Sequence, residues 1–271
     1  MTGRLLWTWS IVVLAFLYVP IGVVVVSSFN AGRFLLNWDG FGLTAFEAAL
    51  SNDAIRSALW LSVRVALAAG VVSIGLGGLA GLALARAPGR WRGPFMGIVL
   101  VILVAPEIMV AVAYLIFFVR IDLTWGFARL VIGHSVFGSA VVALIVRARV
   151  DALDPSLEDA AGDLGATPIR AFRDVTLPLI APALVAGGLL AFTFSLDDVV
   201  IASFVSTSGS TTLPAYIFSS LRTGLRSELA AIATLALGAT FLTFAGTVVL
   251  LRRTTGGHAT LVRTLAGKDQ G

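Results

Sequence analysis

Long apolar runs recur along the whole chain, and each is about the length of a membrane crossing. A hydrocarbon core about 30 Å thick takes about 20 residues of helix. Lipid offers no water to backbone N–H and C=O groups, so such runs fold as helices. Of 271 residues, 58% are apolar and 13% charged, where a soluble domain carries roughly a quarter charged. The expected fold is therefore an all-α polytopic membrane protein. Six spans are predicted, at about Leu5–Phe29, Ala58–Ala85, Pro94–Val119, Phe127–Val146, Leu179–Val200 and Leu229–Leu251. The first run is longer than a signal-peptide core and lacks a small-residue cleavage site, so it reads as a retained anchor.

Composition excludes several kinds of chemistry. The absence of cysteine removes disulfides, thiolate metal sites and cysteine nucleophiles. Two histidines, His134 and His258, are too few for a histidine-built metal site. No metal site, Ser/His/Asp set or other catalytic constellation is visible. The pI near 10.3 does not point to nucleic acid, because the basic residues mostly flank apolar runs and so report orientation. With the N-terminus inside, twelve Lys and Arg fall on the inner side and seven on the outer side or outer half. The inner set is Arg4, Arg86, Arg90, Arg92, Arg147, Arg149, Arg170, Arg173, Arg252, Arg253, Arg263 and Lys268. The short segment Arg86–Arg92 carries the clearest bias. Both termini are then cytosolic, Asp151–Pro178 is a cytosolic loop, and residues 254–271 form a loose cytosolic tail after a membrane domain of 1–253.

Asn30–Ser57 is the largest external piece, and Thr44-Ala-Phe-Glu47 fits a capping box that opens a short helix. Within the second span, Gly77 and Gly81 form a small-xxx-small pair suited to close helix packing. Ser206–Thr212 is a polar loop, and Leu213–Leu225 is expected to re-enter the outer leaflet, favouring a lining role.

The loop Asp151–Pro178 is about 28 residues long, well beyond the usual connector. Asp154-Pro155 reads as an N-cap with proline at the first helical position. A helix to about Leu164 should stop at Gly165, a natural left-handed terminator. Thr167-Pro168 repeats the start signal for a second helix through about Val175, and Leu177-Pro178 is expected to turn the chain into the fifth span. Ala160 and Ala161 sit where a solvated face would carry Lys or Glu. Two short helices with a bend, bearing small residues, make a docking element.

The same residues resemble the EAA motif of permease subunits of ATP-binding-cassette (ABC) importers. Asp159-Ala160-Ala161 stands at the Glu-Ala-Ala position, preceded by Glu158; Gly165 stands at the glycine, and Leu177-Pro178 at the Leu-Pro. Asp for Glu keeps a carboxylate. Residues 163–168, 190–198, 200–204, 211–214 and 218–222 are similar in wording to the putrescine and spermidine permeases. The resemblance implies the binding-protein-dependent, MetI-like permease fold in a bacterial inner membrane. It implies that Glu158, Asp159, Ala160, Ala161, Gly165, Ala166, Pro168, Arg170 and Pro178 couple to an ATPase dimer. It further implies a second, distinct permease subunit, an external solute-binding protein and a small cationic polyamine as substrate. ATP and Mg would belong to the ATPase partner, with no cofactor in this chain. A P-loop is absent here, so energy must come from a separate subunit or an ion gradient.

Three carboxylates lie in or at the ends of apolar runs: Glu107, Asp197 and Asp198. A carboxylate at mid-bilayer costs roughly 2.5–3.5 kcal/mol and usually faces a bundle interior or an aqueous path. Counted along a straight helix from Pro94, Glu107 falls beyond the midplane, with Asp197 near the outer mouth. An acidic path suits an amine dication, with Phe192, Phe194, Phe204 or Tyr114 against its methylenes. Other readings stay open on the residues alone. Glu107 could pair with a basic residue of the bundle, and the aspartates could cap a helix or pair with Arg222 or Arg226. Intramembrane carboxylates equally suit a proton path, which leaves an importer of another solute or a gradient-driven transporter as alternatives. The cysteine-free chain allows a clean test of orientation. A cysteine placed at Ala160 should react with an impermeant thiol reagent only in inside-out vesicles, and labelling in intact cells would reverse the topology.

Overall fold

The structure, a computed structural model, describes residues 2–35, 37–86, 89–154, 156–222, 224, 226–238 and 241, with side chains from residue 6 onward. The described residues belong to two compact units, Asp53–Arg222 and the pair of segments Met1–Asn52 and Thr223–Gly271.

The larger unit is built on three long helices, α3 (Asp53–Arg86), α6 (Gly126–Asp151) and α9 (Leu177–Asp197), each packed against the other two. In lipid there is no hydrophobic drive to bring helices together, so close backbone approach must supply the van der Waals contact. The small-residue pair in α3 does this. A Cβ on Gly77 would meet the Ser139 carbonyl at 2.5 Å and Val142 Cβ at 2.6 Å. One on Gly81 would meet the Ala143 carbonyl at 2.6 Å and Val146 Cβ at 2.8 Å. Val142 and Val146 then pack with Ile180 and Ala191 of α9. Toward the other end of α3, Val65 joins Ala111, Phe118, Leu130, Ala202 and Val205 in a second core.

Two prolines reshape the expected spans. The run Pro94–Val119 is not one helix. Pro106 has no N–H and its ring clashes with the preceding turn, so α4 (Gly89–Val104) stops and α5 (Glu107–Arg120) starts at an angle of 102° to it. Pro178, by contrast, does not turn the chain. The helix continues unbroken from Pro168 to Asp197. A π-helical turn at Phe172–Thr176, closed by the Leu177 N–H on the Phe172 carbonyl, widens the spiral ahead of the proline. The widening gives room to a ring that an α-turn would clash with.

The fifth span also ends sooner than Val200. It stops at Asp197, Asp198 is extended (φ −65°, ψ 119°), and a short helix α10 (Val200–Val205) follows. Beyond it, α11 (Leu213–Ser220) is helical, with its first N–H given to Ser62 Oγ of α3 at 2.8 Å.

The second unit holds α1 (Thr2–Ser27), α2 (Thr44–Ser51) and α12 (Ser227–Gly238). Asn30 ties the turn after α1. Its amide donates to the Phe34 and Asn37 carbonyls at 3.0 and 2.6 Å, and its Oδ1 accepts from Gly32 and Asp39 at 3.1 and 3.0 Å. The short helix after it forms as expected, but not through a capping box. Thr44 Oγ1 donates instead to the Ala31 carbonyl at 3.0 Å, and Leu43 is the N-cap without a side-chain bond.

Four described helices are long and apolar enough to cross a membrane, and the bent α4–α5 pair makes five if taken as one span. The sixth expected span is described only to Gly238 and at Phe241, and the rest of Leu229–Leu251 lies outside the described residues. Arg252, Arg253, His258, Arg263, Lys268, the expected tail 254–271 and Pro155 lie outside them too.

The packing of α3 on α6 makes a signed prediction. Alanine is favoured over glycine in a helix by about 1 kcal/mol, so Gly75→Ala, into open space, should hold or slightly raise the melting temperature of the purified protein. Gly77→Ala should lower it by an overpacking cost of about 1–3 kcal/mol. Equal melting temperatures for the two variants would show that α3 and α6 are not in contact there.

Candidate functional site

Two places carry the residues that the sequence singles out: an acidic cavity among α4, α5, α6 and α9, and the hairpin α7–α8.

The cavity encloses about 630 Å³. The helix break at Pro106 puts Glu107 in the first turn of α5, and the stop after Asp197 puts Asp197 and Asp198 at the end of α9. All three carboxylates line the cavity, brought together from segments about ninety residues apart. Asp198 Oδ1 accepts the Ala202 N–H at 2.9 Å, so this aspartate caps α10 and lines the cavity at once. Its carboxyl shares the cavity wall with Glu107. Among the described residues, no Arg or Lys forms an ion pair with Glu107, Asp197 or Asp198. Arg226 is taken by Glu228 at 3.3 Å.

Of the aromatic candidates, Tyr114 and Phe194 line the cavity, with Phe137 set edge-on to Phe194 at 5.5 Å. Phe192 and Phe204 are not part of its wall; Phe204 packs against the Val65 core. The loop Ser206–Thr212 and the segment after it contribute no lining residue. Instead Thr207 and Ser210 bond to each other and close over Gly126 at the start of α6.

Of the two histidines, His134 lies within the described residues. It is packed, but its ring also faces the cavity. Nδ1 is 2.6 Å from Ser195 Oγ, and Nε2 is 3.7 Å from Asp198 Oδ1. No local pattern announces this, because the partners lie on a helix sixty residues away.

At the hairpin, the start and stop signals hold. The Ser156 N–H donates to Asp154 Oδ1 at 2.9 Å, and α7 spans Ser156–Asp163. That backbone bond holds the Asp154 carboxyl below its ordinary value. A depressed carboxylate pKa stabilises the folded cap above the unfolded pKa, and the benefit is lost as pH falls through the lower folded value. Gly165 adopts φ +84°. Its N–H bonds the Gly162 carbonyl at 2.8 Å, and the Ala166 N–H bonds the Ala161 carbonyl at 3.0 Å. This is a Schellman ending, which needs the left-handed residue that glycine supplies. Pro168 then opens α8 (Pro168–Ala171), which leads into the π turn.

The predicted coupling residues spread over this surface. Asp159, Ala160, Gly165, Pro168, Arg170 and Pro178 are exposed, and Ala161 and Ala166 are half-buried. Leu164 and Ile169 flank the bend at 90% and 81% exposure, which a merely solvated connector does not need. Glu158 differs from its neighbours. Its carboxylate accepts from Arg86 at the end of α3 and from Thr176 Oγ1 in the π turn, so it fastens α7 to the bundle. Arg86 and Thr176 are partners of Glu158 that spacing alone does not reveal. Behind them, Arg149 Nε donates to the Leu179 carbonyl at 3.0 Å, and Arg92 and Arg147 both reach Asp151 at 3.3 Å.

Residues 73–255 match the family described as binding-protein-dependent transport system inner membrane component. The chain belongs to this family of inner-membrane permeases. It is 42% identical over 243 residues to the putrescine transport system permease protein PotI of Escherichia coli (strain K12), covering 85% of this chain and 86% of that one. It is 38% identical to the spermidine/putrescine transport system permease protein PotC of Haemophilus influenzae (strain ATCC 51907 / DSM 11121 / KW20 / Rd), covering 83% and 87%. In fold it resembles a chain of a bacterial alginate ABC transporter in complex with an alginate pentasaccharide-bound periplasmic protein, with a TM-score of 0.72, 15% identity and 94% of each chain covered. A chain of the MetNI methionine ABC transporter matches with a TM-score of 0.55, 20% identity and coverage of 73% and 97%. The all-helical, MetI-like permease fold is therefore shown.

The Glu158 fastening has a direct readout. Glu158→Ala should speed amide hydrogen exchange across α7 a few-fold, the effect of losing a partly exposed ion pair of about 0.5–1 kcal/mol. Unchanged exchange in α7 would mean that the hairpin is held by something else.

Proposed function

We propose that this chain is one of two permease subunits of an ATP-driven importer of putrescine-type polyamines. The observation that carries the reading is the 42% identity, over most of both chains, to a permease named for putrescine. The cavity supports it chemically. Glu107 and Asp197 are open at its mouth, and charged groups cannot be left facing lipid without a cost of a few kcal/mol. That side is water-filled or covered by a second permease, and the acidic wall becomes half of a path for an amine cation. The aromatic side chains Tyr114 and Phe194 offer a face to methylenes or to an ammonium group.

The exposed hairpin Glu158–Arg173 is the seat for an ATPase dimer on the inner side of the membrane, where ATP and Mg would be bound. This subunit is itself non-catalytic. An external solute-binding protein delivers the polyamine to the opposite face. ATP-driven closure of the ATPase dimer displaces α7 and α8, and the bundle passes from one accessible state to the other because the partner binds the two states unequally.

Uptake of labelled putrescine by cells producing the complete transporter tests this. Glu107→Gln and Asp198→Asn should each lower uptake at least tenfold, an effect of about 1.4 kcal/mol, while the amount of protein in the membrane falls much less. Uptake should persist when the proton gradient is collapsed and ATP is kept. Losses of uptake that track losses of protein would give the carboxylates a structural role only, and uptake that follows the proton gradient would replace the ATPase with an ion coupling.

A further inference from the structure

We infer that His134 is a positioning residue for Asp198: with its tautomer fixed by Ser195, it turns an N–H toward one carboxylate oxygen and leaves the other to a cation, while adding no charge of its own. This rests on the polyamine reading and names the residue that sets one of its two inner acids.

Serines inside helices often return the hydroxyl to a carbonyl three or four residues back. Ser203 and Ser206 do so, at 2.6 and 2.5 Å. Ser195 instead has His134 Nδ1 as its acceptor, at 2.6 Å. In a neutral imidazole one nitrogen accepts and the other donates, and the bond made by the first fixes the proton on the second. The ring proton is therefore on Nε2. The His134 side chain is 2% exposed, and Nε2 has no hydrogen-bond partner among the described residues. It faces Asp198 Oδ1 at 3.7 Å, longer than a hydrogen bond. A buried donor left unmade is costly, so this approach draws the carboxylate toward the ring.

The same oxygen accepts the Ala202 N–H at 2.9 Å. Both protein donors thus address Oδ1, and Oδ2 is left to an ammonium group in the cavity that Asp198 shares with Glu107. An Arg or Lys at position 134 would hold Asp198 too, but its charge would offset one of the two carboxylates that attract a cation. A neutral imidazole keeps both. Ser195 is likewise a positioning residue, acting through the tautomer.

Uptake of labelled putrescine, per amount of complete transporter in the membrane, tests the inference. His134→Leu should lower it about tenfold, the effect of one lost hydrogen bond to a charged group. His134→Gln restores an N–H donor and should stay within about threefold of the wild type. Ser195→Ala should lower uptake about threefold beside His134 but change it little beside His134→Gln, because an amide has no tautomer to fix. A serine that met the substrate directly, or only packed, would cost the same in both backgrounds. If the His134 variants do not reach the membrane, Ser195→Thr, which keeps the hydroxyl, should retain the uptake that Ser195→Ala loses. Equal losses in His134→Leu and His134→Gln, a Ser195→Ala effect that is the same in both backgrounds, or equal uptake by Ser195→Ala and Ser195→Thr overturns the inference. Import of putrescine by the wild type in those cases leaves the polyamine reading standing, whereas a wild type that imports none sinks both.

Discussion

Lipid cannot hydrogen-bond a backbone or solvate a charge, and the rest of the structure follows from how the chain meets that condition. Helices alone satisfy their own backbone, so long apolar runs become α3, α6 and α9. Nothing hydrophobic then pulls those helices together. They pack because Gly77 and Gly81 let α3 come within contact of the α6 backbone, where a single Cβ would collide with a carbonyl. The apolar cluster around Val142 fills in at this contact, and the one around Val65 packs toward the other end of α3.

Breaks in the helices are where the acidic cavity forms. A continuous third span would carry Glu107 along the side of a rod. The stop at Pro106 places it at a helix start, with its carboxylate toward the cavity. The end of α9 does the same for Asp198, which satisfies the first turn of α10 and still faces inward. Irregular backbone at membrane depth is tolerated only where protein or water can satisfy it. The cavity and the broken helices are thus one feature seen from two sides.

The hairpin joins surface to bundle by a different device. Its caps are local: Asp154 holds the start of α7 and Gly165 ends it in a Schellman turn. Its attachment is not local. Glu158 reaches Arg86, more than seventy residues earlier, and Thr176 in the π turn that leads into α9. Glu158 therefore ties α7 to α3 through an ion pair and, through Thr176, to the helix that ends in α9. Continuity from Pro168 to Asp197 links the exposed bend at Leu164 and Ile169 to the acidic cavity at the far end of the same rod.

Much of this was legible in the chain, and the dividing line is the range of the interaction. Apolar length, the glycine pair, the caps of α7 and the carboxylates Glu107, Asp197 and Asp198 are written in residues close together in sequence, where period, turn chemistry and hydropathy act. Capping at Thr44 was misread for the same reason: its hydroxyl found the Ala31 carbonyl across a turn rather than its own helix. Whether a proline bends or passes was not legible either. Pro106 breaks a helix and Pro178 does not, because a π turn makes room for one and not for the other. His134 against Ser195, Arg86 against Glu158 and the convergence of three carboxylates on one cavity all join distant segments. The sequence by itself determined that this is a helical membrane protein with an exposed hairpin and acids within its apolar runs. Only the tertiary structure decided which acids share a site and what else faces them, because in lipid that choice is made by shape complementarity between helices, and shape has no signature in any one of them.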